Sequence, residues 1–217
     1  MDAQIRTELA IPLRLHGVAT VGRVFTFDGL GDGREHLAIG LGSCAAPVRG
    51  LPAADEPPLV RLHSECLTGD VLGSERCDCG PQLHESLSRI ADEGGYLLYL
   101  RQEGRGIGLY EKLDAYALQD TGLDTYQANL ALGHDADERD YTAAAQMLRA
   151  LGIRRLRLLS NNPDKAAQLA AAGLVISEQV PTRVHLSDAN ARYLAAKVRH
   201  GSHTLDVAAF RQDLPGR

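Results

Sequence analysis

The chain has 217 residues, 44% of them hydrophobic, with no Trp and only three Phe, which is enough for one large domain with an aliphatic core. A formal charge of −5 disfavours nonspecific nucleic-acid binding, so a polyanionic ligand would have to be met by local arginines and lysines. The N-terminal residues show no signal-peptide pattern and no apolar run reaches the length of a membrane span, so the expectation is a soluble, cytoplasmic protein.

Residues 10–43 alternate apolar and polar positions between Gly-rich turns and predict a small antiparallel β meander. A turn-rich connection, 44–58, leads to a short strand at 59–63, which delivers the segment RLHSECLTGDVLGSERCDCG. Strand and helix then alternate. Pro81 marks a first helical position, Leu83, Leu87 and Ile90 form one apolar face, and Gly94 stops that helix. A strand at 96–100 runs into the loop QEGRGIG and a helix at 109–120. A helix at 140–151 directs Met147, Leu148 and Leu151 inward, and a strand follows at 156–159. Asn161-Asn162-Pro163 caps a helix to 172, and 174–180 is the next strand. This alternation predicts an α/β fold: a mixed, largely parallel sheet covered by helices, with an N-terminal antiparallel β meander. Residues 1–183 are expected as one domain and 184–217 as a C-terminal helix, near 189–199, with a polar tail.

Cys66, Cys77 and Cys79 fall within fourteen residues, and Cys44 is the only other cysteine. Clustered thiols in a reducing compartment point to zinc, and three protein ligands would leave a fourth tetrahedral position for a reactive water. No C-x-x-C is present, so incidental thiols are the alternative; the loop between Cys77 and Cys79 is too short for an unstrained disulfide. Cys44 is expected to be a spectator. As a fourth thiolate it would instead favour a noncatalytic nucleotide-sensing module with a structural zinc.

Gly104-Arg105-Gly106-Ile107-Gly108 joins a strand to a helix and fits neither the dinucleotide fingerprint nor the P-loop. It reads either as an ordinary tight turn or as an anion site, and Arg105 favours the anion. Ser160 to Lys165 is a second such junction, with a lysine that is either solvent-facing or paired with an anion. Both junctions belong at the carboxyl edge of the sheet, where ligands bind in such folds. Asp137-Glu138-Arg139-Asp140 reads on its own as acidic capping of the next helix. Tyr116, aligned with Lys112 and Leu113 at helical spacing, reads as packing. His63 and His134 are not expected to be metal ligands.

The blocks RLHSECLTGDVLGSERCDCG, RQEGRGIGL, AYALQDTGLDT, DERDY and LLSNNPDK, in this order and at these separations, closely resemble the GTP cyclohydrolase II family. The resemblance is dense over about 59–183, looser over the meander, and weak in the tail at Asn190, Tyr193, Leu194 and Lys197. It implies the first committed step of riboflavin synthesis: opening of the guanine imidazole ring of GTP, with loss of formate and pyrophosphate. It implies zinc on Cys66, Cys77 and Cys79, and Mg²⁺ with the triphosphate. GTP contacts are implied at Arg61, Leu62, His63, Ser64, Glu65, Gln82, Glu103, Gly104, Arg105, Thr125, Ser160 and Lys165. Asp137 takes the place of the proton acceptor, Arg139 that of the nucleophile, and Tyr116 that of the family tyrosine. The family member compared carries threonine where this chain has Ser160, which keeps the hydroxyl. Because a guanidinium is essentially always protonated, electrostatic clamping of the departing pyrophosphate is the competing role for Arg139. A homodimer is the expected assembly, although the sequence itself sets no oligomeric state.

Overall fold

The computed structural model describes residues 3–15, 17–47, 56–135, 137–185, 187 and 190. Two long strands, β1 (Gln4–Leu15) and β2 (Val18–Asp28), pair antiparallel, and β3 (Leu37–Leu41) extends the meander. The first strand starts six residues earlier than the alternation at 10–43 implies. It is an edge strand with one face in solvent, so its opening residues are mostly polar, and a bulge between Ile5 and Thr7 breaks their alternation.

Beyond the meander come β4 (Leu59–Ser64), a single turn α1 (Leu67–Asp70), α2 (Cys79–Glu93), β5 (Gly95–Leu100), α3 (Leu109–Asp120) and α4 (Thr125–Ala131). The described chain closes with α5 (Thr142–Ala150), β6 (Arg155–Leu159), α6 (Pro163–Ala171) and β7 (Val175–Val180). The seven strands form one sheet in the order β1-β2-β3-β5-β4-β6-β7. The pairings from β1 to β5 are antiparallel and those among β5, β4, β6 and β7 are parallel, so the mixed α/β sheet expected from the sequence is present.

The strand pleat sorts side chains onto two faces. Val60, Leu62, Leu98, Leu100, Leu156 and Leu158 pack with Met147, Leu148, Leu151 and Leu169 beneath α5 and α6. On the other face Leu59, Leu97 and Leu159 meet Leu83, Leu87 and Ile90 of α2. Both apolar helix faces are those the sequence spacing predicts. Helix α2 begins at Cys79, two residues before the expected start, which puts Pro81 third in the helix. A proline is still tolerated there, because first-turn N–H groups have no intrahelical acceptor. Two short helices, α1 and α4, were absent from the sequence reading. The second carries a capping box: the Asp124 carboxylate accepts from Gln127 N, and the Gln127 side chain accepts from Asp124 N, both at 2.9 Å.

The helix expected near 189–199 lies outside the described residues, as does most of the 184–217 tail. Among the described residues no helix is long and apolar enough to cross a membrane.

Gly95 is the tightest point of the central sheet. It pairs with Leu41 on one side and Leu59 on the other, and a Cβ there would stand 1.9 Å from the Leu59 carbonyl oxygen. Gly95→Ala must push two central strands apart and should destabilise the domain by about 2–3 kcal/mol. Urea unfolding checks this; an unchanged midpoint would mean that the strand junction gives way freely.

Candidate active site

The carboxyl ends of the parallel strands β4, β5 and β6 open onto one cavity. Along β4 the residues that share the α2 face run Leu59, Arg61, His63, so the face turns from apolar to polar as it reaches that edge. Arg61 is buried; its Nη1 donates to the Leu159 carbonyl (3.1 Å) and its Nη2 to Gln82 Oε1 (2.8 Å). Burial lowers its pKa, against the pull of Asp78. His63 Nε2 lies 3.0 Å from both oxygens of Asp70, and the ring stacks on Tyr99. Burial depresses the His63 pKa, with Asp70 acting the other way. This histidine is a cavity residue held by its own carboxylate and lies outside the cysteine cluster.

The sulfur atoms of Cys66, Cys77 and Cys79 lie within 4.8 Å of one another, with 3.7 Å between the first two. Zinc–sulfur bonds of about 2.3 Å in tetrahedral geometry need sulfur–sulfur edges of roughly 3.8 Å, so the donor set fits zinc. The cradle also depends on a missing side chain: a Cβ on Gly69 would stand 2.9 Å from Cys77 Sγ and 3.1 Å from Cys66 Sγ. The three thiols do not share charge equally. Hydrogen bonds from Cys77 and Cys79, with Lys112 nearby, hold the Cys66 thiol well below its usual range. The hydrogen bond to Cys66 pushes Cys77 up to about 11 and raises Cys79 as well. Cys44 is elsewhere, packed against the core and outside the cluster, and burial raises its pKa.

After β5 the turn Glu103–Gly106 places Gly104 (φ 63°) and Arg105 (φ 66°) in the left-handed region. Among the described residues Arg105 is the only non-glycine there, a conformation that costs of order 1–3 kcal/mol and clusters at functional sites. Its guanidinium lies 4.4 Å from the Tyr126 ring centroid, and its carbonyl accepts from Glu138 N (3.0 Å). That bond ties the loop to the segment carrying Asp137 and Arg139. Arg139 lines the cavity and grips Asp137 with Nε (2.7 Å) and Nη2, while Asp137 itself is off the cavity wall. Burial works to raise the Asp137 carboxyl, but its bonds with Arg139 outweigh that and leave it below its ordinary value. The N-cap of α5 is Tyr141, without a side-chain cap bond, so no acid of this segment caps the helix as the sequence suggests; Asp140, one residue earlier, accepts from Thr142 N (2.6 Å).

Lys165 is not solvent-facing. It is buried, donates to the Leu62 carbonyl (2.7 Å), and lies 5.4 Å from the Tyr141 ring centroid. Ser160 Oγ accepts from Asn162 N (3.0 Å) at the α6 cap. Tyr116 lines the cavity; burial pushes its pKa up to about 12, with Lys112 pulling it down and Cys77 up. Ser64, Glu65, Gln82, Glu103, Gly104 and Thr125 also line the cavity. Leu62 does not: its side chain is in the core, and it serves the site through its carbonyl.

Sequence reasoning missed several wall residues, among them Gln102, Asn129 and Lys112. Gln102 Oε1, Asn129 Nδ2 and Arg61 Nε are buried without hydrogen-bond partners among the described residues, as expected where a polar ligand supplies them. Lys112 stands four residues before Tyr116 on α3, a spacing that places both on one face. It could have been found from that alignment, but a lysine on a surface helix usually points to water.

The family model for GTP cyclohydrolase II matches residues 5–181. The GTP cyclohydrolase-2 of Vibrio parahaemolyticus is 53% identical over 184 residues, 85% of this chain and 89% of its own. That of Psychromonas ingrahamii is 45% identical over 205 residues, 93% of this chain and 97% of its own. The riboflavin biosynthesis protein RibBA of Bacillus subtilis is 53% identical over 184 residues, 84% of this chain but 44% of that longer protein. A match of this extent places the chain in the GTP cyclohydrolase II family of enzymes.

Proposed function

We propose that this chain opens the imidazole ring of GTP by hydrolysis, releasing formate and pyrophosphate and leaving a ribosylated diaminopyrimidinone phosphate for riboflavin synthesis. The observation that carries this reading is one cavity that joins a zinc-shaped trio of thiols to the cationic residues Arg105, Arg139 and Lys165. When bound by Cys66, Cys77 and Cys79, zinc supplies Lewis acidity that makes water nucleophilic near neutral pH.

The chain's own residues do the rest. Arg105, Arg139 and Lys165 offer positive charge to a triphosphate accompanied by Mg²⁺, and Arg105 is held ready by the Tyr126 ring. The buried polar atoms of Gln102, Asn129 and Arg61 suit the donor and acceptor edge of a purine. Tyr116 keeps its proton at neutral pH, because burial holds its pKa near 12, and so can donate to or relay from water added at C8. Two additions of water at that carbon release it as formate.

For Arg139 the ion pair favours the clamp over the nucleophile. A low Asp137 pKa means a carboxylate that is charged at neutral pH, and its two side-chain contacts stabilise the protonated guanidinium, which has no lone pair to attack phosphorus.

Purified protein with GTP and Mg²⁺ should release both formate and pyrophosphate, and a wild type that makes no formate would overturn the assignment. Tyr116→Phe should fold normally and still release pyrophosphate, while formate production falls by roughly 10²–10⁴-fold. A wild-type formate rate in that variant would return Tyr116 to packing.

Arg139→Lys keeps the charge but loses the two-pronged contact. Pyrophosphate release should drop by about 10–10³-fold, as for loss of one transition-state donor. Mass spectrometry of rapidly quenched wild-type enzyme should find no guanosine monophosphate adduct on Arg139; an adduct there would establish covalent catalysis instead.

A further inference from the structure

We propose that Lys112 is the positioning residue of the metal centre: its ammonium holds the Cys66 sulfur by a hydrogen bond and balances the charge of three thiolates around a divalent cation. The inference rests on the zinc reading above and adds a residue outside the ligand set.

The geometry uses every donor that a lysine has. Nζ lies 3.1 Å from Cys66 Sγ, 3.0 Å from Thr68 Oγ1 and 2.8 Å from Glu103 Oε1. The lysine is buried, and its acidic partner is buried with it. Glu103 does not depend on Lys112 for its place. Its Oε2 accepts from Leu67 N (2.7 Å) and its Oε1 from Gly104 N (3.1 Å), which fixes the carboxylate to the first turn of α1 and to the glycine loop. A fixed carboxylate aims the ammonium, and the ammonium meets the sulfur.

Charge makes this arrangement more than a salt bridge. Three thiolates and one divalent zinc leave a net negative charge in a buried place, with the Glu103 carboxylate beside it. Uncompensated charge there is costly, and Lys112 is a buried cation in direct contact with both the Cys66 sulfur and the Glu103 carboxylate. A hydrogen bond to a metal-bound sulfur also sets the direction of its lone pairs, the task that outer partners perform at metal sites. A lysine serving Glu103 alone would affect folding stability and leave the metal untouched.

The test measures metal, not turnover. Zinc affinity is read by competition with a chromophoric chelator, and Co²⁺ replacing zinc reports sulfur–metal bonding through its charge-transfer bands. Lys112→Met should bind zinc about 10–100-fold more weakly than wild type and shift the Co²⁺ bands. Lys112→Arg, which keeps charge and donors, should recover most of the affinity. Should Lys112→Met not fold, Lys112→Gln carries the same test, because it keeps a donor and loses the charge. A folded Lys112→Met or Lys112→Gln variant with wild-type affinity and an unshifted Co²⁺ spectrum would overturn the proposal. Wild-type protein that takes up no zinc, or a Cys77→Ser variant that keeps it fully, would defeat the zinc reading itself, a different and recognisable outcome.

Discussion

Three sulfur atoms within a few ångströms of one another, on two buried cysteines and one half-buried, need positive charge among or beside them, because thiolates repel and burial penalises each one. Much of the site is arranged around that demand. Cys66 follows β4, and Cys77 and Cys79 come at the start of α2, so the two segments must be brought together very closely. Two glycines make this possible. A Cβ on Gly80 would meet the Gly69 carbonyl oxygen at 2.4 Å, and one on Gly69 would press on the sulfurs. With no side chain at either position, α1 and the first turn of α2 close into a cradle.

The parallel strands then place everything else within reach. Because β4, β5 and β6 point the same way, their carboxyl ends deliver Glu65 and Cys66, Gln102 and Glu103, and Ser160 to Asn162 onto one cavity. The antiparallel meander supplies sheet width and core, with Phe25 and Ala38 buried under the same helices that cover the parallel strands. Two anionic anchors divide the polar work. Asp70 holds His63 and Tyr99, and Asp137 holds Arg139, so the imidazole and the guanidinium each face the cavity already oriented. Side chains fixed in this way lose little freedom when substrate binds.

Much of this was legible in the sequence, and the gaps have physical reasons. Strands β4 and β5 declared themselves as short apolar runs because both their faces are covered, and α3 follows the loop QEGRGIG at the bounds the sequence implies. The opening of β1 was hidden because an exposed edge strand need not be apolar. Helix α4 was legible in principle through Asp124 and Gln127 but is only seven residues long, too short to show a period. At the site, the cysteine trio and the arginine loop stood out by residue type and spacing. Lys112 with Glu103, and His63 with Asp70, did not, because nothing in a linear chain says which surface-type charges will be buried facing each other. Cys44, expected from the sequence to be a spectator, lies outside the cluster and so is not the fourth thiolate that would have favoured a structural zinc.

The central claim is that this cradle holds a metal with three sulfur ligands and one open position. X-ray absorption at the zinc edge of the purified protein tests it most directly. The account predicts three sulfur scatterers at about 2.3 Å and one oxygen or nitrogen at about 2.0 Å. A shell of four sulfurs, or protein with no zinc to measure, would contradict it.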